Sequence, residues 1–399
     1  MSLLFWLSLL SFGLTLSATF EIALGMRRLV RLRDVPPAGD GELPKVSIVI
    51  PACNEADTIG PALQSVLGLA YPDLEVLVVN DRSTDGTGDV LRHMRQRYPR
   101  LKVIEITELP AGWMGKAHAL QEGARQATGA YLLFTDADIL LEKTTLSRAM
   151  AHVLRNRLDH LSLFFKNIGG GGLLNTLMLD VGGGLLLLFK PWKAKEKNSK
   201  HFMGVGAFNL VRAEAYRAIG GHRSFAMHPV DDIVLGKVLK RKGFSQECLL
   251  GDDFVRVEWY ATIRELIRGV MKNTFAVYDF SISWLALGCL LVLVMGIVPA
   301  WGLLVATGAA RALFAGSVAI RLFFFALGLR LAGVPPGNAL WSLVTPFLSI
   351  YIAVKAAVVT LRNDGITWRG THYSLDEMRK GERLLWVRGW SRSTPNRAI

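Results

Sequence analysis

The chain has 399 residues, is 51% hydrophobic and carries a formal net charge of +13. Its length allows two or three domains, and its basic excess sits beside apolar segments, so anionic lipid explains that charge better than nucleic acid does; no nucleic-acid motif is present. Three cysteines, Cys53, Cys248 and Cys289, lack metal-ligand spacing and read as buried thiols in a reducing compartment.

Residues 2–20 form an uncharged stretch close to the ~20 residues a spanning helix needs. Glu21 ends it, and Arg27, Arg28, Arg31 and Arg33 follow. A secretory signal carries its positive charge before the apolar core, so residues 1–26 read as an uncleaved anchor. The positive-inside rule then places the next domain in the cytoplasm, at the cell membrane.

Residues 45–270 read as a soluble domain. Strands are expected at Lys45–Pro51, Leu74–Asn80, Lys102–Ile106 and residues 130–135, with helices at Asp57–Leu69, Asp89–Tyr98 and Ala117–Ala127. That alternation predicts a doubly wound, mostly parallel α/β sheet. The stretch Gly182–Phe189 looks too short to span a membrane. With Lys190, Trp192 and Lys193 it suits an interfacial segment at the headgroup boundary; a buried linker is the plainer alternative.

Residues 280–361 hold three apolar segments: 282–309, 312–333 around Arg321, and 338–360. Three spans after the anchor would leave the basic tail, residues 362–399, outside, whereas Arg369, Arg379, Lys380, Arg383 and Arg388 favour the inside. One segment is therefore expected to be interfacial or re-entrant, or 282–309 to be a pair broken at Pro299.

In open α/β sheets ligands bind beyond the carboxyl ends of strands. Those ends carry Cys53-Asn54-Glu55, Asn80-Asp81-Arg82-Ser83-Thr84-Asp85-Gly86-Thr87 and Asp136-Ala137-Asp138, which should converge on one crevice. Ser83, Asp85 and Gly86 also suit a turn that caps the next helix, leaving Asp81 to face a ligand. The two carboxylates at 136 and 138 can hold a divalent cation through hard oxygen ligands. No dinucleotide-binding Gly-x-Gly-x-x-Gly follows the first strand, and no P-loop occurs, which disfavours nicotinamide enzymes and P-loop ATPases.

These segments resemble the inverting family 2 glycosyltransferases of GT-A fold. The likeness rests on Pro51-Ala-Cys-Asn-Glu55, on residues 78–87, on Gly115-Lys116 leading to Ala119-Leu120 and Gly123, on Asp136-x-Asp138, and on Gly220-Gly221-His222 followed by Asp231-Asp232 and Leu235-Gly236. A narrower resemblance, to bacterial carotenoid, hopanoid and ceramide glycosyltransferase-like membrane enzymes, is carried by Trp113–Lys116, Phe134–Asp138 and Ile366–Gly370. The resemblance implies that Pro51, Glu55 and Asp81 line the pocket of a nucleotide sugar, that Asp136 faces the donor, and that Asp138, with Asp136, holds Mg²⁺ or Mn²⁺ on the diphosphate. Lys116 is a second cation for the phosphates, or a solvated lysine at a helix start. The general base is expected at Asp232, with Asp231 orienting it and raising its pKa by like-charge repulsion, or capping the helix that follows. His222 and His228 read as structural.

Processive synthases of this family carry a Gln-x-x-Arg-Trp motif after the acidic pair. Residues 258–269 lack it, so long polymers and a translocation channel are disfavoured. Arg264 and Arg268 there suit an interfacial helix. The expectation is an inverting transfer of one sugar from a nucleotide sugar to a lipid hydroxyl. Transfer to a polyprenyl phosphate, or a non-catalytic scaffold that binds nucleotide sugar, are the alternatives.

Overall fold

The computed structural model describes residues 2–39 and 43–385; the end of the basic tail, Arg388 included, lies outside the described residues. The chain divides into two compact units, each discontinuous in sequence: Met1–Arg28 with Gly169–Lys190 and Trp259–Asp364, and Leu29–Ile168 with Pro191–Glu258 and the chain from Gly365.

Helix α1 (Leu3–Arg28) opens the first unit. The second unit begins with β1 (Val46–Ala52), α2 (Ile59–Leu67), β2 (Leu74–Asp81), α3 (Thr87–Arg97), β3 (Leu101–Ile106), α4 (Gly115–Gln126) and β4 (Tyr131–Phe134). It continues through β5 (Leu140–Leu141), α5 (Thr145–Asn156), β6 (His160–Phe164) and β7 (Lys166–Asn167). Helix α6 (Gly172–Phe189) belongs to the first unit; β8 (Asn209–Arg212), α7 (Ala213–Ala218), α8 (Asp231–Arg241), β9 (Gln246–Leu250) and β10 (Val255–Val257) belong to the second. The first unit resumes with α9 (Ile263–Val277), α10 (Ile282–Val292), α11 (Val298–Val305), α12 (Gly308–Leu331) and α13 (Thr345–Arg362). The chain ends its described course in the second unit as a hairpin, β11 (Gly365–Trp368) and β12 (Thr371–Ser374), and helix α14 (Leu375–Lys380).

In the second unit seven strands form one sheet in the order β3-β2-β1-β4-β8-β6-β9. Strands β1 to β4 are parallel, as their alternation with helices predicts, and β9 is parallel to β6. Strand β8 departs from that pattern and runs antiparallel to both β4 and β6. The chain reaches β8 from β6 through β7 and α6, a long connection compatible with either direction of pairing.

Strand β2 is buried along its whole length, as a central parallel strand should be. Pro51 lies inside β1, opposite Val79, rather than at its end. Pairing with β4 stops at Val49–Phe134, so the missing proline N–H breaks no ladder bond on that side. At the other end of the sheet Glu75 is buried. It accepts hydrogen bonds from Ser47 Oγ, from Lys102 Nζ at 2.6 Å, and from the Thr128 N–H at 2.9 Å, which ties three strands and the α4–β4 turn together.

Among the described residues five helices are long and apolar enough to cross a membrane: Leu3–Arg28, Gly172–Lys193, Ile282–Val305, Gly308–Leu331 and Thr345–Arg362. Leu3, Phe20, Leu304, Phe323 and Phe347 point outward, all more than half exposed, which suits a lipid-facing surface. Helix α6 begins ten residues before the apolar run at Gly182, so the segment is longer than its hydropathy suggested. The 282–305 stretch is not split at Pro299. A π-turn at Leu293–Ile297 precedes the proline and absorbs its missing donor within one continuous rod.

Small cores organise the first unit. Leu174 and Leu177 of α6 pack with Leu266 of α9 and Ile352 of α13. Phe314 of α12 packs with Ala306, Ala310 and Phe5. Phe325 and Leu329 of α12 pack with Ala339 and Leu179. Arg321 meets Asp180 at 2.9 Å, and Thr345 Oγ1 donates to the same carboxylate at 2.7 Å, so the charge in this apolar unit is paired.

Candidate active site

The site forms where β1, β2 and β4 leave the sheet. Its first part is a cross-linked pair of loops. The Asn54 N–H donates to Ser83 Oγ at 3.0 Å, the Glu55 N–H to Thr87 Oγ1 at 2.8 Å, and the Thr84 N–H to Asn54 Oδ1 at 2.8 Å. Asp85 accepts the Thr87 N–H at 2.9 Å and the Ala56 N–H at 3.1 Å, closing the turn that leads into α3. Asp81, at the end of β2, is 3% exposed and holds the Arg82 guanidinium through both oxygens, at 2.7 and 3.0 Å. A side chain at Gly115 would collide with Asp81 Oδ2, so only glycine lets α4 begin here.

The second part is acidic. Asp136 and Asp138 follow β4, and Asp231 and Asp232 form the first turn of α8, where negative charge suits the helix dipole. Helix α8 begins at Asp231 itself, so Asp231 does not cap it from outside. Lys116, in the first turn of α4, lies 2.6 Å from Asp136 Oδ1 and 3.8 Å from Asp231 Oδ1. Burial would lower its pKa, but Asp136, Asp231 and Asp232 hold it well above the ordinary lysine range. Lys116 is therefore a fixed cation rather than a solvated lysine.

Asp232 accepts the Gly206 N–H on Oδ2 at 2.8 Å and the Ile233 N–H on Oδ1 at 2.9 Å. Its pKa is raised, first by burial and then by Asp136, while Lys116 opposes the shift. Asp136 is thus a like charge that raises it. A raised carboxylate pKa makes a better general base.

His222 lies 3.9 Å from Asp231 Oδ2 and shares a 2.7 Å hydrogen bond with the Tyr216 hydroxyl. Burial, then Lys116, lowers its pKa to about 3, and burial, then Lys237, lowers that of His228 to about 3. Both are neutral, as structural histidines should be. Lys116, Phe134, Asp136, Gly206, His222, Asp231 and Asp232 line one crevice.

Against this geometry, residues 47–220 match the family described as Glycosyl transferase family 2. The chain carries a family 2 glycosyl transferase domain. It is 41% identical over 104 residues to the "Probable glycosyltransferase YdaM" of Bacillus subtilis, covering 26% of this chain and 24% of that one. It is 28% identical over 232 residues to the "4,4'-diaponeurosporenoate glycosyltransferase" of Staphylococcus aureus, covering 54% and 56%. The chain thus spans about a quarter of the first curated relative and about half of the second. Among solved structures it is similar in fold to the "Mannosyltransferase PcManGT from Pyrobaculum calidifontis in complex with GDP-Man and Mn2+", at 20% identity and a TM-score of 0.53, covering 90% of this chain and 98% of that one. The mostly parallel α/β sheet is that of the GT-A fold.

The acidic crevice, which extends past the matched residues to Asp231 and Asp232, suits a divalent cation. The described residues hold no group of three or more His, Cys, Asp or Glu side chains that could cage a metal alone. Asp138 has its pKa pushed up to about 7, mainly by burial and then by the neighbouring charges of Asp136 and Glu55. Asp136 and Asp138 could supply hard oxygen ligands and leave the remaining positions to a donor's phosphates and water.

Sequence reasoning missed Gly204 and Gly206. A Cβ on Gly206 would fall 2.7 Å from Asp136 Oδ2, and one on Gly204 would overlap the Asp232 carbonyl. Asn209 fastens the same loop, accepting the Val205 N–H at 3.2 Å. The available signal was the Gly204-Val205-Gly206 pair just before an apolar strand, a mark of close backbone approach. Trp192, expected at a headgroup boundary, is instead buried in the second unit at 2% exposure; its ring fills core space there.

Proposed function

We propose that this protein is a membrane-bound, metal-dependent, inverting glycosyltransferase that moves one sugar from a nucleotide sugar to a hydroxyl of a lipid at the cytoplasmic face. The observation that carries this reading is the setting of Asp232. Two backbone N–H groups fix its carboxylate in a crevice that Lys116, Asp136 and Asp231 also line.

In this mechanism the donor nucleotide lies along the loops of Asp81 and Glu55, with Pro51 beneath, and its diphosphate near Asp136 and Asp138. Mg²⁺ or Mn²⁺ on those carboxylates, when bound, would neutralise charge on the leaving diphosphate. Lys116 adds a positive charge that needs no reorganisation as the bond breaks. Asp232 takes the acceptor hydroxyl's proton while that oxygen attacks the anomeric carbon from the face opposite the leaving group. Asp231, 3.8 Å from Lys116, keeps the ammonium between the two acidic pairs.

Strand pairing supports the membrane reading. Strands before and after α6 share one sheet, which favours α6 entering and leaving on one face. Glu258 and the hairpin after α13 belong to one unit, which favours an even number of crossings between them. Helix α13 is the shortest and least apolar candidate and shares a core with α6 and α9. We therefore read α1, the α10–α11 rod and α12 as the crossing helices, with α6, α9 and α13 at the cytoplasmic interface.

The experiment is sugar transfer by the detergent-purified protein, given UDP- and GDP-sugars, Mg²⁺ or Mn²⁺, and a total lipid extract. The reading expects metal-dependent nucleotide release matched by sugar on a lipid. Release without lipid product, or binding without release under every condition, would count against it.

A further inference from the structure

We infer that the hairpin Gly365–Ser374 is a working wall of the donor site and that Arg369 is a donor-positioning residue. This inference rests on the nucleotide-sugar reading above and adds a segment that lies far from it in sequence.

The hairpin touches the Glu55 loop, the Asp81 loop and the start of α4 through polar contacts. Arg369 pairs with the Glu55 carboxylate and donates to the Asn54 carbonyl at 3.0 Å. Arg82, whose guanidinium holds Asp81, also donates to Thr371 Oγ1 at 3.3 Å. The Gly115 N–H, one of the free donors at the start of α4, is satisfied by the Tyr373 hydroxyl at 3.1 Å. Tyr373 is 5% exposed, so this is a buried brace rather than a surface contact.

The Asn54 contact falls where the backbone is strained. Asn54 and Arg82 both adopt left-handed conformations, at φ 56° and 55°, which persist only when the surroundings hold them. A guanidinium that grips the Asn54 carbonyl and the next side chain at once fixes both the turn and the Glu55 rotamer. Lysine has the charge but not the planar fork. The ring of Trp368 lies 5.7 Å from the Arg369 guanidinium and further restricts it.

Beyond the hairpin the chain continues to α8. Glu382 pairs with Lys237 at 3.3 Å and with Arg241 at 2.7 Å. One segment thus joins the donor loops to the helix that bears Asp231 and Asp232.

The test is calorimetric binding of UDP and of GDP, with Mn²⁺, to the detergent-purified full chain, alongside steady-state kinetics. Losing the fork should weaken binding of the preferred nucleotide in Arg369→Ala by about 10-fold, with Arg369→Lys recovering only part. The donor KM should rise while kcat and the acceptor KM change little. In a Glu55→Gln background Arg369→Ala should add little, because the pair acts as a unit. Tyr373→Phe provides an independent check, since it frees the Gly115 N–H and should also raise the donor KM. Unchanged nucleotide affinity in both Arg369→Ala and Tyr373→Phe would overturn the role of the hairpin. If the wild-type chain bound neither nucleotide, the nucleotide-sugar reading itself would fall, and the hairpin's role with it.

Discussion

Lys116 Nζ lies 2.6 Å from Asp136 Oδ1, at the point where the carboxylates after β4 face those that open α8. One cation therefore separates two acidic pairs that would otherwise repel. Its removal should cost more than one hydrogen bond. Lys116→Met is expected to lower kcat/KM by about 100-fold, the scale seen when a preorganised electrostatic group is lost. Lys116→Arg should recover part of it. Steady-state kinetics with a matched thermal melt checks this, and a loss explained wholly by unfolding would contradict it.

Gly206 offers a sharper steric test. Its N–H donates to Asp232 Oδ2, and a Cβ there would fall 2.7 Å from Asp136 Oδ2. Gly206→Ala should push the two carboxylates apart and lower kcat by about 10- to 100-fold, since small misplacements of reacting groups are costly. Far-ultraviolet circular dichroism should be unchanged. Wild-type turnover in this variant would show that the loop does not position the base.

Glu75 gives a dependence of stability on pH. Burial would raise its pKa, but hydrogen bonds from Lys102, Ser47 and Thr128 bring it down to about 2, from 4.5. A depressed carboxylate pKa stabilises the fold fully above the unfolded value, and that contribution is lost as pH falls toward the folded one. The shift corresponds to about 3 kcal/mol. Thermal melts should show the wild type losing stability between pH 4.5 and 2, while Glu75→Gln is less stable at pH 7 and flatter over that window. Identical profiles would contradict the assignment.

The membrane arrangement can be read by labelling. Single cysteines introduced at Thr307, between α11 and α12, and at Gly337, between α12 and α13, should differ in intact cells. The first should react with an impermeant maleimide from outside and the second only after permeabilisation. External labelling at Gly337 would overturn the reading of α13 as interfacial.

Much of the second unit was legible because its β1–α4 region repeats short buried strands and amphipathic helices, and periodicity reports those directly. The acidic residues stood out because several of them recur, in order, at the carboxyl ends of successive strands, where open α/β sheets bind ligands. Strand β8 and the glycines before it were harder to read. Antiparallel pairing depends on where a long excursion through the other unit delivers the chain, and Gly206 matters only because Asp136 and Asp232 approach it from distant segments. The hairpin at 365–374 was visible only as a short likeness, since its contacts with Glu55 and Gly115 span more than 250 residues of sequence. Hydropathy marked where apolar helices lie but could not separate crossing from lying flat, because that depends on which strands share a sheet.

The measurement that bears most directly on the account is transfer by Asp232→Asn beside the wild type, with nucleotide release and sugar on lipid followed together. The account predicts that kcat falls by about 100-fold or more while UDP or GDP binding is unchanged, because the base acts on the acceptor and not on the donor. Near-wild-type transfer by Asp232→Asn would contradict it and point instead to an acceptor already ionised, such as a polyprenyl phosphate.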